Sequence, residues 1–449
     1  MNYIQQANKG KNEPWMFLLT FLLTAGLFIY SLVIFLFFSD GIDLVEQQQM
    51  LFELVPSKNF WLAFNLLPFA FLLGLLFLLV KKLHQRSILS LTTSRKKVDW
   101  SRVFFSFSLI VLITLVSFGI SYYNDPSEVV LQLDPVKFGI LVVISLLLFP
   151  FQIGLEEYLF RGYMMQHLGV LLENRWMPLL ITSILFGVFH SANPEVAEMG
   201  YMIMIFYIGT GLLLGIMTLM DDGLELALGF HLGNNLLAAT LVTSDWSALQ
   251  TDAAFKFTAP QADTSTLIDV ILPVLVLYPI MLLILSKKYN WTNWSKKLFG
   301  NVNINNGKMT NWYLKVLKQF ADFNGRARRK EYWMFILSNI IFAVVAIILD
   351  NVLGIAIGPI SIGPIYGLYV LSVLIPGLAV IVRRLHDIGK SGWMILITLI
   401  PLVGPIWFLV LMLTEGYSGE NQYGENPKDI QTDSFTQDEL NVVKNSLEK

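Results

Sequence analysis

The stretch Phe138–Gly162, FGILVVISLLLFPFQIGLEEYLFRG, joins an almost unbroken apolar run to a group of charged side chains. The apolar run is long enough for a membrane helix, which needs about 20 residues to cross the hydrocarbon core. It ends in Glu156, Glu157 and Arg161, although ionised groups are costly in that environment. Because ionisable residues inside membrane spans are candidates for function by default, the stretch predicts both a membrane helix and a functional site.

The composition of the whole chain indicates a polytopic membrane protein. Of its 449 residues, 55% are hydrophobic and 14% are charged, with a mean hydropathy of +0.60, whereas soluble domains carry about 25% charged residues. The net charge of −2 gives no indication of nucleic-acid binding, and none is expected. The chain has no cysteine, which excludes disulfides, thiolate nucleophiles and cysteine-based zinc sites and is compatible with a bacterial inner membrane.

Apolar runs predict an all-α fold, a membrane helical bundle with an eight-helix core and a smaller C-terminal helical membrane domain of about three spans. The first run is too long for a signal-peptide core and is interpreted as a permanent span. The predicted core spans are roughly 15–38, 60–80, 103–122, 138–160, 177–192, 201–220, 224–243 and 267–286, and the C-terminal spans are near 332–353, 363–382 and 393–413. The last span contains LIPLVGPIW and either crosses the membrane or forms a re-entrant turn. The predicted domains are 1–286, a polar linker at 287–319, a C-terminal membrane domain at 320–427 and a polar tail at 428–449.

The distribution of lysine and arginine predicts the orientation of the chain. The loop between the second and third spans carries seven basic residues, from Lys81 to Arg102, and cytoplasmic loops are enriched in such residues. The loops around 39–59 and 123–136 are acidic and are expected on the outside. The N-terminus is therefore predicted to be cytoplasmic.

Three groups of polar residues fall inside the predicted spans. In the first, Glu157 and Arg161 are four residues apart on a helix and can form an ion pair, whereas Glu156 points about 100° away and is left for chemistry. The second group ends in His190, and the third contains His231 and Asn235 on one helix face. Taken alone, each group has a structural explanation, as interfacial charges or as hydrogen bonds between helices; together they favour a reactive site.

Peptide hydrolysis is the chemistry that these residue types suit. A buried carboxylate can accept a proton from water as the water attacks a carbonyl carbon, and histidine and asparagine side chains can stabilise the oxyanion. Alternatively, Glu156, His190 and His231 could hold a divalent metal such as zinc with an open position for water. The chain has no H-E-x-x-H motif and asparagine is a poor zinc ligand, so a glutamate-activated water is preferred and the metal is left open.

The order E-E-x-x-x-R, F-x-x-x-H and H-x-x-x-N on successive helices resembles the CPBP family, which comprises CAAX proteases and bacteriocin-processing enzymes and is also called the Abi family. The resemblance covers roughly residues 15–286. It implies an eight-helix intramembrane endopeptidase in which Glu156 activates water, His190, His231 and Asn235 complete the catalytic site, and Glu157 and Arg161 support it. It also implies a membrane-anchored peptide or protein as substrate, of the CaaX type or a bacteriocin or leader-like peptide. The family's need for a metal is disputed, and the oligomeric state is not implied.

Two alternatives to a protease are weighed. One is a non-catalytic membrane scaffold or bacteriocin immunity factor, which the intact set of four catalytic candidates disfavours. The other is a transporter with the glutamate pair as a proton relay, but the chain shows no convincing inverted repeat.

The separation of the motifs along their helices conflicts with the predicted spans. Counted at 1.5 Å per residue, His190 would lie about 21 Å from the start of its span, whereas Glu156 would lie about 8 Å from Arg161. Helix tilt, or entry of residues 162–175 into the membrane, would be needed to bring the two together.

Residues 320–427 carry a second set of motifs. They include FADFNGRARRKEYWMF and VRRLHDIGKSGW, which resemble a bacterial inner-membrane domain family of unknown function. Arg326, Arg328, Arg329 and Lys330 are interpreted as interfacial anchors on the cytoplasmic side. Asp387 is expected to pair with an arginine.

Overall fold

Two compact units, Met1–Ile304 and Asn305–Lys449, divide the chain. The computed structural model describes residues 2–12, 14–38, 50, 54–258, 271–302, 312–352, 355, 363–401 and 403–428. The predicted polar tail lies outside the described residues except for its first residue.

The first unit is a helical bundle. Its longer helices are α1 (Pro14–Thr24), α2 (Gly26–Phe38), α3 (Lys58–Lys82), α5 (Trp100–Asn124), α6 (Pro135–Glu157), α8 (Trp176–Val188), α10 (Met204–Asp221), α11 (Glu225–Thr240) and α12 (Tyr278–Lys288). Shorter helices are α4 (Leu89–Thr92), α7 (Met165–Leu172), α9 (Pro194–Met199) and α13 (Trp294–Phe299). Three short strands, β1 (Val129–Leu131), β2 (Val242–Thr243) and β3 (Phe255–Phe257), form a small sheet in the order β1-β3-β2.

Membrane-length helices dominate the chain, which confirms the all-α polytopic fold. Within the described residues, six helices are long and apolar enough to cross a membrane, or seven if a bent pair near the N-terminus forms one span. In that pair, Met16–Thr24 and Gly26–Val33 meet at 66°, so the predicted first span is not one straight helix. Gly26 directly follows the break, and glycine is among the weakest helix formers.

The helix that contains the glutamate pair is longer than predicted. After α6 the chain continues through a π-helical turn, Tyr158–Met164, into α7, so that Pro135–Leu172 forms one candidate span of 38 residues. The prediction that this span ends near residue 160 is therefore wrong, because Arg161 is fully buried and does not mark a helix end.

This extension removes the conflict between the positions of Glu156 and His190. Residues 173–175 connect the extended helix, which ends at Leu172, to α8, which begins at Trp176. Glu156 lies sixteen residues (172 − 156) before this connection and His190 fourteen residues (190 − 176) beyond it. At 1.5 Å per residue the two separations are about 24 and about 21 Å, so both residues fall at a similar level of the bundle.

Close contact between α5 and α11 fixes the rotation of α11. A Cβ atom on Gly229 would lie 2.1 Å from the carbonyl oxygen of Val103, and one on Gly233 would lie 2.6 Å from a methyl group of Ile110. Small residues four apart allow helices to approach in this way. Since His231 lies midway between the two glycines, its side chain points to the opposite face of α11, towards α6.

The N-terminal residues are part of the core, which the sequence did not indicate. Tyr3 and Ile4 are fully buried at the start of a 3₁₀ turn, Ile4–Lys9. The Tyr3 hydroxyl donates a hydrogen bond to the carbonyl oxygen of Leu91 (2.5 Å) and lies 3.2 Å from that of Arg161. The turn therefore braces the π-helical segment after the glutamate pair.

Part of the predicted linker also packs into the first unit. Trp291, Leu298 and Val302 are buried in its main hydrophobic cluster, and Lys297 forms an ion pair with Asp222. The apolar side chains among the lysines and asparagines explain this packing.

The second unit contains α14 (Trp312–Lys318), α15 (Arg329–Val352), α16 (Pro364–Asp387) and α17 (Val403–Leu413). The last predicted span is broken, because a 3₁₀ helix, Gly392–Leu399, precedes α17. The expected pairing of Asp387 is confirmed, since its carboxylate meets Arg326 at 3.1 Å and also pairs with Arg384. Arg326 is thus buried (8% exposed) and is not an interfacial anchor.

Candidate active site

Glu157, the second glutamate of the pair, accepts hydrogen bonds from an arginine and a histidine. Arg161 Nη1 donates to Glu157 Oε1 at 3.0 Å, as the i,i+4 spacing predicts, and His231 Nδ1 donates to the same oxygen at 2.8 Å. The side chains of Glu157 and Arg161 are completely buried. This arrangement links α6 to α11. It also requires a proton on Nδ1 of the His231 imidazole, because a carboxylate oxygen can only accept a hydrogen bond.

The first glutamate has a different environment. Gln152 Nε2 donates to Glu156 Oε1 at 3.1 Å, while Glu156 Oε2 lies 3.6 Å from His231 Nε2. That separation is too long for a hydrogen bond. Within the described part of the chain, Glu156 Oε2 is buried and has no hydrogen-bond partner. An acceptor oxygen and a ring nitrogen therefore face each other across a gap of the kind that a water molecule bridges.

The aromatic ring of Phe186 connects His190 to His231. The ring of Phe186 has its centroid 4.6 Å from that of His190 and 5.9 Å from that of His231. His190 Nδ1 donates to the carbonyl oxygen of Phe186 at 2.6 Å, and Tyr207 stacks on its other face at 4.6 Å. The position of the His190 ring is therefore determined on both faces, with Nε2 left for another partner.

Asn235 lies one helical turn after His231 on α11 and is half-buried. Its Oδ1 accepts a hydrogen bond from Asn234 Nδ2 at 3.2 Å. No hydrogen bond joins Asn235 to either glutamate or to His190 among the residues that the structure describes. The structure thus brings Glu156, Glu157, Arg161 and His231 into one contiguous group. His190 is connected to His231 through Phe186, and Asn235 lies one helical turn beyond His231.

The backbone of α10 completes the support of Arg161. Arg161 Nη2 donates to the carbonyl oxygen of Gly211 at 3.2 Å, and its guanidinium lies 4.3 Å from the centroid of Phe186. A Cβ atom on Gly211 would lie 2.9 Å from the backbone of Ser183 on α8. Glycine is therefore required for the approach of α10 to α8 that presents this carbonyl.

Two loops close the end of the bundle next to His190. Asn193 donates to the hydroxyl of Tyr207 at 3.0 Å, and the backbone N–H of Ala248 donates to Glu195 Oε1 at 2.8 Å. Burial raises the pKa of the Glu195 carboxyl. The loop that follows His190 is thus tied both to α10 and to the segment after β2.

Glu156, His190 and His231 are not arranged as a metal site with three ligands. Within the described ranges, no group of three or more histidine, aspartate or glutamate side chains is positioned to hold a metal ion. Both nitrogens of His231 already face carboxylates, and the described structure shows no hydrogen bond or ion pair between His190 and Glu156.

Gln152 is the main residue of the site that sequence reasoning did not identify. It lies four residues before Glu156, and it is one of two polar side chains, with Ser145, in the run 138–155. Helical spacing from the first glutamate would have identified it. The Gly211 carbonyl and the stacking of Tyr207 on His190 had no comparable signal, because both depend on contacts between helices.

Two family models match the chain. The model described as type II CAAX prenyl endopeptidase Rce1-like matches residues 136–237, which contain the site. The model described as protein of unknown function (DUF805) matches residues 320–425.

Three curated relatives match parts of the chain. Inner membrane protein YhaH of Escherichia coli (strain K12) is 50% identical over 119 residues, which are 26% of this chain and 96% of the relative. Inner membrane protein YhaI of the same organism is 44% identical over 117 residues, 26% of this chain and 95% of the relative. The uncharacterized protein YyaK of Bacillus subtilis (strain 168) is 27% identical over 250 residues, 54% of this chain and 83% of the relative. No solved structure matches the chain.

Proposed function

Since the chain carries an Rce1-like CAAX protease domain at residues 136–237 and belongs through residues 320–425 to the DUF805 family, with YhaH and YhaI, we propose that it is an intramembrane endopeptidase that uses a glutamate-activated water. At the level of the family, the first domain is that of an intramembrane protease. The glutamate mechanism and the substrate are our proposal.

One observation carries this proposal. Glu156 Oε2 is a buried carboxylate oxygen without a hydrogen-bond partner among the described residues, and it faces His231 Nε2 at 3.6 Å. A general base must reach the proton that it removes, directly or through one water. A water held between these two atoms would meet that requirement. Glu157 also has an oxygen without a partner, Oε2, but its carboxylate is already fixed through Oε1 by Arg161 and His231.

The proposed reaction begins with this water. Its oxygen attacks the carbonyl carbon of the scissile bond while one of its protons passes to Glu156. The resulting oxyanion accepts a hydrogen bond from the side-chain amide of Asn235, and from Nε2 of His231 or His190 when that nitrogen also carries a proton. When the tetrahedral intermediate collapses, the C–N bond breaks and Glu156 returns the proton to the leaving amine nitrogen.

Glu157 and Arg161 act as positioning residues in this scheme. Glu157 keeps a proton on His231 Nδ1, so that Nε2 is directed towards Glu156. Arg161 balances the buried charge of Glu157 and packs against Phe186, which in turn contacts His190.

We propose a membrane-anchored peptide or protein as the substrate, of the CaaX type or leader-like, because the site lies within apolar helices. YhaH and YhaI are named inner membrane proteins, and at least six helices of the described chain are membrane-length. These facts support a multi-pass location in a bacterial inner membrane. The basic loop between the second and third predicted spans is our reason for proposing that the N-terminus is cytoplasmic. The proposed protease domain covers residues 1–286, and the C-terminal domain residues 320–427.

The test uses purified full-length protein in liposomes with a quenched library of membrane-anchored C-terminal peptides. Cleavage that is lost in Glu156→Gln and in His231→Ala, but kept in the presence of a chelator, would support a metal-independent glutamate protease. Cleavage that is lost with chelator and restored by zinc would move the mechanism to metal-assisted hydrolysis. A folded wild type that cleaves no peptide would favour the alternative, a non-catalytic scaffold or immunity factor.

A further inference from the structure

A buried arginine in the second unit has two hydrogen-bond donors without partners. Arg383, on α16, is 2% exposed. Its Nη1 donates to Gln319 Oε1 at 2.6 Å and to Glu331 Oε1 at 3.1 Å. In the described part of the chain, its Nε and Nη2 have no acceptor.

The two unpartnered donors lie on one edge of the guanidinium. The N–H bonds of Nε and Nη2 point in parallel, which is the arrangement that binds a carboxylate or phosphate through two oxygens. A buried donor that makes no hydrogen bond lowers the stability of the protein, and each such donor in a native structure calls for an explanation. The Arg383 edge is therefore shaped for an oxoanion.

The charges around Arg383 do not balance. Glu331 is shared, because Oε1 meets Arg383 and Oε2 meets Lys315. Arg383 and Lys315 together carry two positive charges against the one negative charge of Glu331. The neighbouring Arg384 is paired elsewhere, with Asp387, so one positive charge is left at this position.

The position of Arg383 suggests where an oxoanion would come from. The candidate span α16 ends at Asp387, four residues after Arg383, and the antiparallel helix α15 begins at Arg329, two residues before Glu331. The short helix α14 places Trp312 next to Lys315 at 5.4 Å. Tryptophan beside basic residues at the ends of spans is typical of the headgroup layer of a membrane.

We propose that Arg383 and Lys315 form a binding site for a phosphate oxoanion, and that the phosphate is the headgroup phosphodiester of a phospholipid. The Nε and Nη2 edge of Arg383 binds two phosphate oxygens, and the spare positive charge favours an anionic lipid. This site belongs to the DUF805 unit and does not depend on the proposed protease activity.

The test is native mass spectrometry of the full-length protein in detergent, titrated with phosphatidylglycerol, with diacylglycerol, which lacks phosphate, or with glycerol 1-phosphate. The wild type should retain phosphatidylglycerol but not diacylglycerol. Arg383→Lys keeps the charge and removes the two-donor edge, and it should weaken binding about tenfold. Gln319→Glu keeps an acceptor for Nη1 and cancels the spare charge, so it should weaken binding without disturbing the fold. Lys318→Met, an exposed site on the same helix as Lys315, is the matched control and should bind as the wild type does.

Each outcome decides the proposal. Competition by glycerol 1-phosphate would support the phosphate site but assign it to a soluble phosphate ester. Binding of diacylglycerol as tight as that of phosphatidylglycerol would overturn it. So would equal lipid binding by the wild type, Arg383→Lys and Gln319→Glu, because the two donors would then be satisfied by buried water. An equal loss in Lys318→Met would show only surface attraction.

Discussion

Two adjacent glutamates contact the same imidazole ring, and their remaining neighbours separate their roles. Glu157 shares one oxygen with Arg161 and His231, at 3.0 and 2.8 Å, so it is a fixed anion inside the bundle. Glu156 has a neutral amide as its hydrogen-bond donor. Both glutamates keep a second oxygen without a partner among the described residues, but that of Glu156 faces a ring nitrogen of His231 at 3.6 Å. Adjacent positions on one helix thus provide one structural and one reactive carboxylate.

Glu157→Gln should destabilise the protein strongly. The substitution leaves the buried guanidinium of Arg161 without its counter-charge, and breaking a buried pair costs about 3–5 kcal/mol. The melting temperature of detergent-solubilised protein should therefore fall well below that of the wild type. Lys137→Gln is a suitable control, because its ion pair with Asp134 is exposed and long, at 3.8 Å; a similar loss in both variants would contradict the account.

Gln152→Met should lower turnover but leave substrate binding unchanged. The variant removes the amide that orients Glu156 and keeps a side chain of similar length. Hydrogen bonds to charged groups contribute about 1.5–3 kcal/mol, so we expect kcat to fall about tenfold or more. KM should stay within about twofold, because Gln152 contacts the base and not the peptide. Steady-state kinetics separate the two constants, and a rise in KM alone would show that Gln152 has a different role.

At the scale of helices, sequence spacing predicted contacts within a helix better than contacts between helices. The Glu157–Arg161 pair followed from an i,i+4 spacing, and it is present. The end of the same helix was misplaced, because a buried arginine has the appearance of an interfacial charge in the sequence. The Gly211 carbonyl that accepts from Arg161 belongs to another helix, and no local pattern reports such a partner.

The contact between α5 and α11 should be sensitive to a single methyl group. Gly229→Ala would place a Cβ atom 2.1 Å from the Val103 carbonyl oxygen, and backbone atoms cannot easily move away. Overpacking of this kind costs about 1–3 kcal/mol, and it should also shift His231 and reduce activity.

Gly74→Ala is the matched control for this substitution. Gly74 also lies inside a membrane-length helix, and a Cβ atom there would meet nothing within 4 Å. Because alanine is the better helix former by about 1 kcal/mol, this variant should be as stable as the wild type or more so. Thermal unfolding of both variants checks the prediction, which equal melting temperatures would contradict.

At the scale of the whole molecule, the motifs were sufficient to identify both regions. The two resemblances inferred from short motifs are confirmed by the family models at 136–237 and 320–425. The motifs could be recognised because each is short and lies on one helix or turn. The burial of Tyr3 and the packing of residues 291–302 could not be predicted in this way, since they depend on the assembled bundle.

The orientation of the chain can be tested cleanly because the protein has no cysteine. Lys96 and Tyr123 are both exposed; Lys96 lies four residues before α5, and Tyr123 lies in its last turn. By the distribution of basic residues, a cysteine at position 96 should be cytoplasmic and one at position 123 external. A membrane-impermeant maleimide added to intact cells should label Tyr123→Cys and not Lys96→Cys, and the reverse pattern would contradict the predicted topology.

The central claim is that the Glu156 carboxylate activates the water that cleaves the peptide. The most direct measurement is the cleavage rate of Glu156→Gln relative to the wild type, in liposomes, with the melting temperatures of both proteins recorded. General-base catalysis contributes about 10²–10⁴-fold, so the account predicts a loss of at least about a hundredfold with an unchanged melting temperature. A folded Glu156→Gln variant that cleaves the peptide at the wild-type rate would contradict it.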